Sequence, residues 1–189
     1  MQLSDLYPHV VPVSYFNLPD LEKQPLLEQF GVVHPLGHDV AWMLSLRTDE
    51  AIKNVHPIDL ENHGFTIEEA HKAAMENLAL AIEAKTFVRQ IHKTAKGFHC
   101  ITWAGNWLTA SCMLWPGLFD WASKLLETDE ILVSAPQEQL LFVISRGDAE
   151  FRAAMRDYSR NAVEGLDKQI SPEWFNLSKT GLWPFIENA

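Results

Sequence analysis

Eight histidines and two cysteines are the residues of this 189-residue chain that could carry metal or nucleophile chemistry. The densest polar group is His34-Pro35-Leu36-Gly37-His38-Asp39. Pro35 and Gly37 forbid the helix that would set both imidazoles on one face, and no glutamate follows His34, so the helical zinc-protease geometry fails. A turn with exposed histidines is the plainer reading. Residues 86–93, 98–103 and 107–114 alternate as strands of an antiparallel meander. A four-residue first turn pairs His92 with His99, and a three-residue second turn sets His99 against Ser111. Two imidazoles and a hydroxyl in one row could bind an anion or metal, or place a serine beside a base. A one-residue change in either turn sends the partners to opposite faces. No acid is placed to orient the base, and a solvent-exposed polar row is the competing reading.

The remaining candidates read as structure. His71 falls on the apolar edge of a helix, where a packed core-edge role suffices. Trp103, Trp107, Trp115 and Trp121 could stack bases, but core packing suits an acidic chain better. Cys100 and Cys112 cannot form a zinc site alone and read as small buried hydrophobes. The chain has no Gly-rich phosphate loop, G-x-S-x-G elbow, C-x-x-C pair or H-E-x-x-H, which argues against the common nucleotide-binding, redox and hydrolase classes. No cofactor and no metal is called for.

The elements that position these residues follow from periodicity. Residues 24–30 read as a short helix, 40–46 and 51–56 as strands with a turn at Asp49 and Glu50, and 57–60 as a brief helix led by Pro57. Thr66 and Glu69 stand at capping-box spacing, and Ile67, Ala70, Ala74, Leu78, Ala81 and Ile82 form the stripe of the helix that follows. Pro116 starts another helix, with Leu118, Ala122, Leu125 and Leu126 inward. Residues 131–135 and 140–145 are strands around Pro136. Asp148 caps a last helix, with Phe151, Ala154, Met155, Tyr158 and Ala162 inward and Arg152, Arg156 and Arg160 on a solvated face. Residues 172–185 form a hairpin. Strands grouped between a few helices predict an α+β fold with an antiparallel or mixed sheet and helices packed mainly on one face. The length fits a single domain spanning residues 1–189.

Fifteen basic against 25 acidic residues give a net charge of −10, which disfavours nucleic acid. No stretch approaches the roughly 20 apolar residues of a membrane span, and the N-terminus lacks a basic, then apolar leader. A cytoplasmic location is expected. The runs PLGHDVAWMLSLRTDEAIKNVHPIDLENHGFTIEEAHKAAMENL, GNWLTASCMLWPGLFDW, APQEQLLFVIS and SPEWFNLSKTGLWPF resemble the YtpQ-like family of bacterial proteins, a domain of unknown function. The resemblance implies a cytosolic bacterial protein and carries no reaction, substrate or catalytic residue across. The chain departs from that pattern at Thr109 and Gln139, where the family usually has an acid. Two functions stay open: a non-catalytic interaction or regulatory module with a protein partner, and a small-molecule-binding protein or hydrolase using His92, His99 and Ser111.

Overall fold

The computed structural model describes residues 1–16, 31–48, 51–94, 96–165 and 167–187; the expected helix at 24–30 and the turn at Asp49 and Glu50 lie outside them. The fold is α+β, with two antiparallel sheets. The chain divides into two compact units, Met1–Lys85 and Thr86–Ala189, and each is described by itself. Among the described residues no helix is long and apolar enough to cross a membrane.

The first unit holds strands β1 (Leu6–Pro12), β2 (Val33–Gly37), β3 (Val40–Arg47) and β4 (Ile52–Asn54), with helices α1 (Pro57–Asn62) and α2 (Ile67–Glu83). β3 is central. β1 pairs along all of one edge, while β2 takes residues 40–43 of the other edge and β4 takes 45–47. Where β2 and β4 converge, the Leu44 N–H donates to Val32 O and the Val55 N–H donates to Leu44 O. Gly31 fits this junction at φ +128°, because a Cβ there would stand 2.7 Å from Val55 O.

The capping box forms as expected: the Glu69 N–H donates to Thr66 Oγ1 and the Thr66 N–H donates to the Glu69 carboxylate. Ala70, Ala74, Leu78 and Ile82 are the buried stripe of α2. The small side chains at 70 and 74 share a core with Leu6, Leu44, Val55 and Leu60. Asn77 ties α2 down by donating from Nδ2 to the carbonyls of Leu3 and Leu6.

The second unit is a six-stranded sheet in the order β10-β9-β7-β8-β6-β5. Its strands are β5 (Val88–Lys93), β6 (His99–Ala104), β7 (Ile131–Gln137), β8 (Leu140–Ser145), β9 (Phe175–Ser178) and β10 (Gly181–Pro184). Helices α3 (Leu118–Leu126) and α4 (Ala149–Val163) lie on opposite faces. Trp121 of α3 meets Trp103 edge to face. Phe151 and Met155 of α4 pack with Cys100, Phe142 and Ile144, whose side chains leave the other side of the pleat. The first unit thus carries α2 on one face of its sheet, and the second carries helices on both.

Three local expectations change. Residues 107–114 are not a strand; Ala110–Leu114 form a 3-10 helix. Asn106 starts the turn, its Oδ1 accepting from the Leu108 N–H and its N–H donating to Thr109 Oγ1, which is how Asn and Thr side chains compete with a strand ladder. The second neighbour of β6 is therefore β8. On α4 the buried residues are Phe151, Ser159 and Val163, while Ala154 and Tyr158 are exposed.

The arginine face of α4 is not simply solvated either. Arg152 donates to Glu187 at 2.9 Å and to Gly147 O at 2.8 Å, with its side chain only 12% exposed. Arg156 reaches Glu173 and Glu187, and Arg160 reaches Glu173. These pairs pin the C-terminal segment onto α4. Replacing Arg152 by alanine is expected to cost about 1.5–3 kcal/mol, the range for hydrogen bonds to charged groups; urea denaturation of parent and variant measures it.

Candidate functional site

The expected row does not assemble. Thr94 belongs to the ladder rather than to the turn: its N–H donates to Phe98 O at 2.8 Å, and its Oγ1 accepts from the Phe98 N–H. The connecting loop is consequently one residue shorter than expected, with Gly97 at φ +87°, the usual three-residue hairpin with a left-handed glycine. The register shifts by one, so His92 stands opposite Cys100 and Lys93 opposite His99. His92 and His99 leave opposite faces of the sheet. His99 hydrogen-bonds Leu126 O through Nδ1, while Ser111 is fully buried on the 3-10 helix.

The thiols are equally unsuited to nucleophilic work. Both are free and buried, and burial pushes Cys100 up to about 11 and Cys112 higher still, so neither supplies thiolate near neutral pH. A cleft of about 390 Å³ at the end of α4 is lined by Arg160, Glu164, Gln169 and Ser171, without histidine or cysteine.

Two features do concentrate chemistry. In the first unit, the β2–β3 register sets His34 beside Trp42, and the same face receives His71 from α2. His34 stacks on Trp42 with ring centroids 4.5 Å apart, and His71 is tilted against that indole at 5.1 Å. The two Nε2 atoms lie 3.0 Å apart, within hydrogen-bond reach of each other. Burial holds both imidazoles below their ordinary value of 6.5, with His71 adding to the effect at His34 and Glu68 opposing it at His71.

Because the folded state disfavours the protonated rings, the unfolded chain binds more protons below pH 6.5. Stability contributed by the pair is complete above that value and is lost as pH falls through it toward the depressed folded pKa values. The double variant His34→Gln, His71→Gln is expected to show a shallower decline in urea midpoint between pH 7.5 and 5.5 than the parent. An unchanged slope would assign the decline to other groups.

In the second unit the feature is β5. It is the terminal strand of its sheet and is exposed along most of its length, with Val88 60% and Ile91 55% accessible. The Thr94 to Phe98 bond fixes which backbone groups face outward. Hydrogen-bonded pairs alternate along an antiparallel ladder, so residues 88, 90 and 92 bond to β6, and Ile91 and Lys93 present N–H and C=O groups to the open edge. The His99 N–H confirms the phase by donating away from β5, to Ser145 Oγ.

The other edge strands are blunted in the ways proteins use against edge pairing. β1 carries Pro8 and Pro12, β2 carries Pro35, β10 carries Pro184, and β4 spans three residues. Among the described residues β5 is the one edge strand longer than three residues without proline. Its Arg89 lies over Trp103 at 4.3 Å.

A sequence signal could have found this edge. Residues 84–119 contain Lys85, Arg89, Lys93 and Lys96 and no aspartate or glutamate, although acids outnumber bases across the chain. No family model, curated protein or solved structure matches the chain.

Proposed function

We propose that the protein is a non-catalytic interaction module of the cytosol whose β5 edge captures an extended, acidic segment of a partner protein. The observation that carries this reading is the open, proline-free β5 edge with outward backbone groups at 91 and 93. Strand addition draws affinity from main-chain hydrogen bonds and specificity from alternate side chains. Val88 and Ile91 offer the apolar contacts, and Lys93 offers charge to carboxylates on the incoming strand. A catalytic reading through His92, His99 and Ser111 gains no support from three side chains that point to different places.

The test uses a capped synthetic peptide alternating valine and glutamate and reads amide hydrogen exchange. Binding by strand addition is expected to slow the amides of Ile91 and Lys93 while leaving those of Gln90 and His92 as they were. Unchanged exchange at the first two would overturn the proposal. So would displacement of the peptide by an oligothymidine, which would favour nucleic acid, or protection that rises with protein concentration alone, which would mark a second copy as the occupant.

A further inference from the structure

The His34 and His71 pair in the first unit lies outside the β5 edge and performs nothing for it. Its geometry is that of two neutral nitrogen donors converging from different elements, one on a strand and one on a helix, with rings held by a shared indole. We propose that His34 and His71 form a two-histidine site for a divalent transition metal of tetragonal preference, Cu2+ or Ni2+, bound through Nε2 of each ring.

The distance carries the argument. Metal–imidazole bonds run about 2.0–2.1 Å, so two Nε2 atoms 3.0 Å apart subtend roughly 90° at a common ion. That is the angle between neighbouring ligands of a square or octahedral ion, whereas tetrahedral ligands stand about 3.3 Å apart at the same bond length. Imidazole with water in a tetragonal arrangement suits Cu2+ and Ni2+.

The shared proton can leave the Nε2 position without leaving the pair. Both rings face each other through Nε2, so in the metal-free pair one Nε2 carries the hydrogen and the other accepts it. On binding, the donor ring moves that proton to its Nδ1, and both Nε2 lone pairs become available with no net proton released. Glu68 precedes His71 by one helical turn, and its negative charge attracts positive charge to that imidazole, a proton or a metal cation alike. Among the described residues no group of three His, Cys, Asp or Glu stands together as a metal cluster, so water fills the remaining positions and the site is exchangeable rather than structural.

Titration of the full chain with Cu2+ alone tests this, read by electron paramagnetic resonance and by the imidazole signals of a 15N-labelled sample. The expected result is a tetragonal spectrum with two nitrogen donors and early broadening of the His34 and His71 rings. His34→Gln and His71→Gln should each weaken binding by at least about tenfold, while His63→Gln, which alters the imidazole 3.2 Å from the Met1 amine, should leave it unchanged. If the glutamine variants bind as the parent does, or if His63→Gln abolishes the signal, the inference is overturned. Broadening of other histidines before His34 and His71 in the parent would overturn it without reference to any variant, which covers the case of a variant that fails to fold.

Discussion

Trp103→Ala is expected to lower the free energy of unfolding by about 3–5 kcal/mol, the range for removing a large aromatic side chain from a core. Trp103 on β6 is completely buried. Its ring meets Phe87, Trp115 and Trp121, at 6.0, 6.5 and 5.1 Å between centroids, and the Arg89 guanidinium lies 4.3 Å above it. Alanine would therefore remove the common wall of an aromatic cluster and the face on which a cation rests. Trp103→Phe separates these effects. Phenylalanine keeps a ring beneath Arg89 and removes an indole N–H that, among the described residues, has no hydrogen-bond partner, so its cost should be clearly smaller than that of alanine. Urea denaturation followed by far-ultraviolet circular dichroism measures both. A loss for Trp103→Ala no larger than that for Trp103→Phe would show that the cluster is not organised around this ring.

That cluster also shows where sequence reasoning succeeds and where it stops. Signals that act within one turn of chain were legible: the Thr66 and Glu69 box, the Asp148 cap, which accepts from the Phe151 N–H at 2.8 Å, and the C-terminal hairpin all form as their residue types dictate. Residues 107–114 read as a strand because a short run buried continuously from Leu108 to Met113 has no periodicity to separate a strand from a helical turn. Asn106 and Thr109 held the answer, yet such residues serve turns, caps and strands alike. The register failed by one residue because Thr94 can close a turn or extend a ladder, and only the structure shows both of its bonds to Phe98. The arginines of α4 looked solvated because Glu173 and Glu187 stand well beyond the helix in sequence.

The candidate sites were hidden for a similar reason. His34 and His71 lie 37 positions apart, and neither neighbourhood signals the other; the strand register of β2 on β3 and the face of α2 must both be known first. The β5 edge was partly visible in composition. The acid-free stretch from 84 to 119 was masked by the net charge of the whole chain, which describes solubility and long-range field better than any one edge.

The sharpest expected contrast lies between two adjacent proline substitutions on β5. Ile91→Pro removes an N–H that faces the open edge, at a position where a strand tolerates proline, and the preceding Gln90 already has the extended backbone that proline demands. Stability should change little. Binding of the valine–glutamate peptide should fall by about tenfold or more, the equivalent of one lost hydrogen bond at the upper end of its usual worth together with the clash of the ring against the incoming strand. His92→Pro acts in the reverse way, because the His92 N–H points to β6 opposite Cys100. Its loss leaves a ladder carbonyl unpaired and should destabilise the sheet by about 1–3 kcal/mol. Paired measurements of urea midpoint and peptide affinity separate the two. If Ile91→Pro binds the peptide as the parent does, the backbone of β5 is not what the peptide reads; if it unfolds the protein as His92→Pro does, the assigned phase of the ladder is inverted. Only an open edge in the phase fixed by Thr94 and Phe98 predicts loss of binding at one position and loss of stability at the next.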